Sequence, residues 1–239
     1  MTGATWHEFA ASEALAEDLA ETVARRLAGA IEKRGMATIA VSGGSTPPPF
    51  FQALSRKKID WGRVIVTLVD ERFVPPSSER SNAALATRYL LQNDAAQAKF
   101  IGLYQPAETV EEAAENADEE ISSLPLPLDV VVLGMGPDGH TASFFPDAED
   151  IALKLGAHDR HVLPIYAKSV GEPRLTLSMP LICAARFVAL HIEGQEKRRV
   201  LQTALASDTA KLPVRVAVEQ AVAPVAIYWA PGPNGDLTS

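Results

Sequence analysis

Asp138-Gly139-His140 places a carboxylate and an imidazole one residue apart, directly after the apolar run that ends at Leu133. Neutral imidazole can take a proton from water near physiological pH, and a nearby carboxylate can orient it and stabilise its charged form. His140 is therefore a candidate general base, with Asp138 beside it. An isolated Asp-x-His is more often structural, so the neighbouring clusters carry weight. Ser42-Gly43-Gly44-Ser45-Thr46 also follows an apolar run, Ala37 to Val41. Its glycines allow the backbone to bend close to a ligand, and the helix start behind it offers free N–H groups to an anion. The hydroxyls of Ser42, Ser45 and Thr46 add donors. A plain strand–helix turn is the bland alternative. Gly-Lys-Ser/Thr does not follow, so this is no nucleotide P-loop, and Gly-x-Ser-x-Gly occurs nowhere in the chain. A third cluster, Asp70-Glu71-Arg72, ends the run Val64 to Val69.

Gly134-Met135-Gly136-Pro137-Asp138-Gly139 also fits Gly-x-Gly-x-x-Gly, so a dinucleotide site must be weighed. His140-Thr141 follows at once, Pro137 stiffens the middle, and the next two dozen residues contain no convincing strand with an acidic end to hold a ribose. The reading preferred here has the glycines admitting a substrate while Asp138 and His140 supply chemistry. Arg174, after the turn at Gly171-Glu172-Pro173, is either a fork for phosphate or carboxylate or an ordinary surface arginine. Lys197, opening a helix after Gly194, is a similar case. His158 and His161 lack a Cys or Glu partner at a recognised metal spacing and read as a surface loop.

The elements that must position these groups follow from periodicity. Ser12 is expected to cap a helix burying Leu15, Leu19, Val23, Leu27 and Ile31, with Gly35 ending it. Pro47 to Pro49 fit only a loop or the first turn of the next helix, through Phe50, Phe51 and Leu54. Ser81 can cap a helix carrying Leu85, Tyr89 and Leu90, and Glu108 to Ser123 reads as an acidic helix whose charges form a solvated face rather than a site. Further strands are expected at Phe100 to Leu103, Asp129 to Leu133, His161 to Tyr166, Phe187 to Ile192 and Val225 to Trp229, with a helix from Gln195 to Ala206. Strands apolar throughout and alternating with helices indicate an α/β fold with a mainly parallel sheet covered on both faces. Ligands bind beyond the carboxyl ends of such strands, where all three polar clusters fall.

Composition narrows the function. With 239 residues the chain can form one sizeable core, and no linker or repeat divides it. A formal net charge of -8 argues against nucleic acid as a partner but leaves room for a small anion in a local positive pocket. The apolar runs are too short to cross a bilayer, and the residues Met1 to Glu8 show no signal-peptide pattern. The single cysteine, Cys183, excludes an internal disulfide and suits a reducing cytoplasm. Lying in Leu181-Ile182-Cys183-Ala184-Ala185, it reads as a buried structural thiol.

Taken together, these segments resemble the family of 6-phosphogluconolactonases and glucosamine-6-phosphate deaminases. The matching stretches are Val41 to Pro47, Val69 to Pro75 with Ser81-Asn82, and Leu133 to Pro146, with Pro173 to Thr176 and Gly194 to Lys197 as weaker matches. The resemblance implies one modified doubly wound domain over residues 1–239, like ribose-5-phosphate isomerase and the coenzyme A transferases. It also implies hydrolysis of 6-phospho-D-glucono-1,5-lactone, in the oxidative pentose phosphate pathway. By resemblance, the loop Ser42, Gly43, Gly44, Ser45, Thr46 holds the phosphate and His140 activates water. Asp138 and Asp70 shape the site, and Arg72, Arg174 and Lys197 provide positive charge. No metal or cofactor is expected; the expected partner is a small phosphorylated sugar lactone, handled by a monomer or weak homo-oligomer. In the deaminase branch a glutamate stands five residues after the histidine. Phe145 stands there in this chain and cannot carry a proton, which favours the lactonase branch over a deaminase or isomerase. The paired Asp138 and His140 argue against a non-catalytic sugar-phosphate sensor. After Trp229 the chain runs into Ala230-Pro231-Gly232, where lactonases usually carry an aspartate.

Overall fold

The computed structural model describes residues 3–156, 159–206 and 212–232. The chain enters through a short strand, β1 (Thr5–Glu8), and the long helix α1 (Ser12–Arg34). Leu15, Leu19, Val23 and Leu27 of α1 are fully buried, because residues four apart share one face of a helix. Ile31 lies only partly within that face. Ala11, not Ser12, is the N-cap residue; Ser12 begins the helix and makes no capping bond. Gly35 ends α1 in the left-handed conformation and returns its N–H to the Ile31 carbonyl at 2.8 Å.

Then come β2 (Ala37–Val41), α2 (Pro48–Ser55), β3 (Val64–Leu68) and a three-residue strand, β4 (Asp70–Arg72). Helix α3 (Asn82–Tyr89) is capped by Ser81, whose Oγ accepts from the Ala84 N–H. β5 (Lys99–Ile101), α4 (Val110–Ser122), β6 (Val130–Leu133) and the short α5 (Ile151–Lys154) follow. The chain continues through β7 (Val162–Ile165), β8 (Arg174–Leu177), α6 (Met179–Cys183) and β9 (Val188–Glu193). It closes with α7 (Gln195–Ala206), α8 (Pro213–Gln220) and β10 (Ala226–Ala230).

Seven strands form one parallel sheet in the order β1-β10-β9-β6-β2-β3-β5. Every residue of β2, β6 and β10 is buried, so both faces of the sheet are covered. From β2 the chain winds through β3 to β5, then returns to place β6 on the other side of β2. The loops after β2 and β6 therefore diverge at a topological switch point, where open α/β sheets leave a crevice.

A second, antiparallel sheet, β4-β8-β7, stands beside the first. Two main-chain bonds tie it to the large sheet: Val69 N–H to the Val41 carbonyl at 2.9 Å and Leu177 N–H to the Val69 carbonyl at 2.8 Å. Asp70 to Arg72, expected as the end of a parallel strand, thus belongs to a separate sheet. No helix among the described residues is long and apolar enough to cross a membrane. Cys183 is buried, and burial alone pushes its thiol up to about 12.

Candidate active site at the switch point

The loop after β6 doubles back on itself. Gly139 N–H donates to the Gly136 carbonyl at 3.1 Å, and Gly136 N–H to the His140 carbonyl at 3.0 Å. A Cβ on Gly136 would lie 2.2 Å from two atoms of the His140 ring and 2.7 Å from the Asp138 carboxylate. Gly139 has φ of +80°, a conformation that costs a side chain. These two glycines let a short loop present both groups side by side. No helix opens at this loop: after Gly139 the next begins at Ile151. A pyrophosphate therefore has no helix N-terminus to rest on, and the Gly-x-Gly-x-x-Gly match does not make a dinucleotide site.

His140 Nδ1 stands 2.6 Å from Asp138 Oδ1, and the same oxygen accepts the His140 main-chain N–H at 3.2 Å. A carboxylate only accepts, so the Nδ1 proton faces it and the neutral ring keeps its lone pair on Nε2. The Phe145 ring lies against the imidazole with centroids 4.5 Å apart.

A cavity of about 320 Å³ opens at this point. Its wall includes the whole Ser42 to Thr46 loop together with Asp70, Arg72, His140, Arg174 and Lys197. The predicted residues thus meet in one crevice, apart from Asp138, which stands behind His140 with 42% of its side chain exposed. Ser42 spans the switch point: its Oγ accepts the Gly134 N–H at 3.2 Å. Its main-chain N–H reaches the Val132 carbonyl at 3.0 Å.

The small sheet sorts the Asp-Glu-Arg cluster by strand alternation. Asp70 and Arg72 share the face that lines the cavity; Glu71 points the other way and is fully buried. Its carboxylate accepts from the main-chain N–H groups of Arg72, Asn82 and Ala83 and from Ser81 Oγ. Burial pushes the Glu71 carboxyl up, against the downward pull of those four bonds. Glu71 is thus the bracket that fixes α3 to β4. Asp70 accepts from Ser143 Oγ at 2.6 Å, and its carbonyl accepts from Asn82 Nδ2 at 2.9 Å. The Asn82 side chain occupies the space that a Cβ on Gly43 would need, 1.9 Å from its Oδ1.

Arg72 and Arg174 stand directly opposite in the β4–β8 ladder. Like charges at such a pair repel, so the arrangement favours an anion between or beside them. Arg174 is 8% exposed, and its Nε and Nη1 make no hydrogen bond; Nη1 has only an ion-pair contact with Glu172 at 3.2 Å. Burial, then the Arg72 charge, pulls its proton affinity below the usual arginine range. Lys197 is likewise held below the usual lysine range, chiefly by burial. Arg174, which the sequence left between anion fork and surface residue, is buried.

Some neighbours were not anticipated. Ser143, Asn82 and the buried His191 all stand in or against the cavity. His191 carried one signal, being the only polar residue within the apolar run Phe187 to Ile192. His161 bonds Ser122 Oγ at 2.9 Å, and His158 lies outside the described residues. Trp229 donates from Nε1 to the Gly194 carbonyl at 3.0 Å, steadying the turn that leads to Lys197.

The family described as glucosamine-6-phosphate isomerases/6-phosphogluconolactonase matches residues 10–229. A 6-phosphogluconolactonase of Mesorhizobium japonicum is 56% identical over 227 residues, covering 95% of each chain. One from Rhizobium meliloti is 52% identical, covering 95% of this chain and 99% of that one. A crystal structure of a 6-phosphogluconolactonase from Shewanella baltica is 40% identical with a TM-score of 0.91, covering 95% of this chain and 97% of the other.

Proposed function

The chain belongs to the family of glucosamine-6-phosphate isomerases and 6-phosphogluconolactonases, and on that premise we propose how its cavity hydrolyses 6-phospho-D-glucono-1,5-lactone. The phosphate rests against the Ser42 to Thr46 loop, with Arg174, Arg72 and Lys197 supplying charge. The lactone carbonyl then lies toward His140. Water attacks that carbon while His140 Nε2 takes its proton, and Asp138 holds the imidazolium that forms. Collapse of the tetrahedral species breaks the ring C–O bond, and the ring oxygen recovers a proton to give 6-phosphogluconate.

The observation that carries this reading is the pinned imidazole: Nδ1 held at 2.6 Å by Asp138, with the tilted Phe145 ring packed against it at a centroid distance of 4.5 Å. An isomerase or deaminase must shuttle protons between two carbons and needs a second acid–base group beside the histidine. Phe145 offers none. A lactone carbonyl is reactive enough to be opened by one base and water, so the reaction is proposed to need no metal. The net charge of -8 and the single buried cysteine support a cytoplasmic enzyme that works without nucleic acid.

The test is turnover of the phosphorylated lactone by wild type and His140→Gln, in chelator and corrected for spontaneous ring opening. Gln keeps bulk and hydrogen bonding but cannot take the proton. A positioned general base contributes about 10² to 10⁴ in rate, so the mutant is expected to lose about that much in kcat. Turnover within a few-fold of wild type would remove His140 from this role. Deamination of glucosamine 6-phosphate by the wild type would favour the other branch, and tight phosphosugar binding without turnover would favour a sensor.

A further inference from the structure

Four charged residues close a ring beside the cavity, and the hydrolytic steps above use only two of them. Arg72 and Arg174 face one another across the β4–β8 ladder. The Arg72 guanidinium donates to the Arg80 carbonyl, which ties the segment before α3 to this pair. From there the Arg80 side chain turns to Glu172, its Nη1 donating to Oε2 at 2.6 Å. The other oxygen of Glu172, Oε1, stands 3.2 Å from Arg174 Nη1. The two contacts differ in kind. Arg80, with 62% of its side chain exposed, makes a full hydrogen bond to the carboxylate. The buried Arg174 has the nearness of that charge without a hydrogen bond to it.

Glu172 is thus shared between a cation that holds it and a cation that lacks an acceptor. Arg174 Nε and Nη1 are shielded from solvent and unbonded, a costly state for a buried charge. Turning the carboxylate onto Nη1 would relieve it, and the bond to Arg80 opposes that turn. Burial and the Arg72 charge lower the proton affinity of Arg174, and Glu172 is the first of the carboxylates that act against them. The guanidinium charge is delocalised, so a carboxylate beside Nη1 weakens the pull of the whole group on an anion in the cavity. We propose that Glu172 sets how tightly the cavity holds a phosphate, and that Arg80 limits its effect by drawing the carboxylate away from Arg174. Substrate and product carry the same phosphate, so an unopposed arginine would retain the opened product as firmly as it captures the lactone. Glu172 tempers both. Neither Glu172 nor Arg80 touches a reacting atom; both act through Arg174, and the inference rests on the reading of Arg174 as a phosphate ligand.

The two residues should answer mutation in opposite directions. The intact protein is assayed for KM on the phosphorylated lactone and for competitive inhibition by inorganic phosphate and by 6-phosphogluconate. The variants are Glu172→Gln, Arg80→Ala, the two combined, and Arg174→Ala. Glu172→Gln keeps an acceptor oxygen for Arg80 and removes the charge. It is expected to tighten both inhibition constants by about five- to tenfold, with KM falling in step. That range lies between the most an exposed ion pair supplies and the least a hydrogen bond to a charged group supplies. Arg80→Ala frees the carboxylate to settle on Arg174 and should weaken the same constants by about two- to fivefold, the scale of an exposed ion pair. A bond that only held the loop in place would move both variants the same way. The combined variant should bind phosphate like Glu172→Gln alone, because without the charge Arg80 has nothing to restrain. Phosphate binding unchanged or weakened in Glu172→Gln, or an Arg80→Ala loss that persists in the Glu172→Gln background, would overturn the inference. Unchanged phosphate inhibition in Arg174→Ala would instead remove the phosphate reading of that arginine, and the inference with it.

Discussion

Replacing Asp138 with Asn keeps the shape of its contact with His140 and removes the charge. The Asn Oδ1 can still accept from His140 Nδ1, now 2.6 Å from the carboxylate, and from the main-chain N–H at 3.2 Å. Ring orientation should therefore survive, and the loss is that of the charge facing the imidazolium. A hydrogen bond to a charged group contributes about 1.5 to 3 kcal/mol and a neutral one about 0.5 to 1.5 kcal/mol. The difference, about 1 to 1.5 kcal/mol, corresponds to roughly five- to fifteenfold in kcat. Two unit charges about 4 Å apart attract by ~1 kcal/mol in water and ~4 kcal/mol near a protein surface. Asp138, with 42% of its side chain exposed, lies toward the weaker end. The loss should thus fall far short of the ~10⁴ seen when a buried triad aspartate is changed in the same way. KM should not move, since Asp138 is not part of the cavity wall. Proton release in weak buffer, with the spontaneous rate subtracted, measures this directly. A mutant within twofold of wild type would show that Asp138 does not stabilise the charged ring. A loss near 10⁴ would show that solvent does not screen the pair during the reaction.

Three other perturbations follow from the same geometry. Gly136→Ala would place a Cβ 2.2 Å from the His140 ring, so the ring must move; a misplacement of about 1 Å costs roughly 10²-fold, expected in kcat with little change in the melting temperature. Arg174→Ala should raise KM for the phosphorylated lactone by about ten- to a hundredfold, the worth of one charge-assisted contact, and leave unphosphorylated gluconolactone nearly unaffected; equal effects on both would deny it the phosphate. Glu71→Gln would turn an amide N–H₂ toward at least one of the four donors that now converge on the carboxylate. Denaturant unfolding should show a loss of about 1 to 3 kcal/mol, the cost of leaving a buried polar group unsatisfied, and an unchanged midpoint would mean that α3 is held to β4 by packing alone.

By itself, the sequence determined the large parallel sheet apart from its edge strand β1, and the two loops that follow β2 and β6. Ala37 to Val41 and Val130 to Leu133 are short, apolar apart from Thr38 and followed within two residues by glycine, the pattern expected of a strand covered on both faces. The loop glycines and the Asp138–His140 spacing are local, so one stretch of chain shows them complete. The small sheet was not legible in this way. Its strand β8 is four residues long, opens on a charge and pairs with Asp70 to Arg72 about a hundred residues earlier. Neither strand has a pattern of its own strong enough to declare it. Only that pairing sets Arg174 opposite Arg72 and turns Glu71 inward while Asp70 and Arg72 face the cavity. The same holds for Asp138, whose place behind His140 depends on how one loop folds back, and for His191. A lone polar residue in an apolar strand shows that something must answer it, but which group does so depends on the turn at Gly194 and on what the neighbouring helices cover. Local periodicity reports what each segment must bury. Which charges end up facing one another is decided by contacts between segments far apart in the chain, and those are settled only when the two sheets pack together.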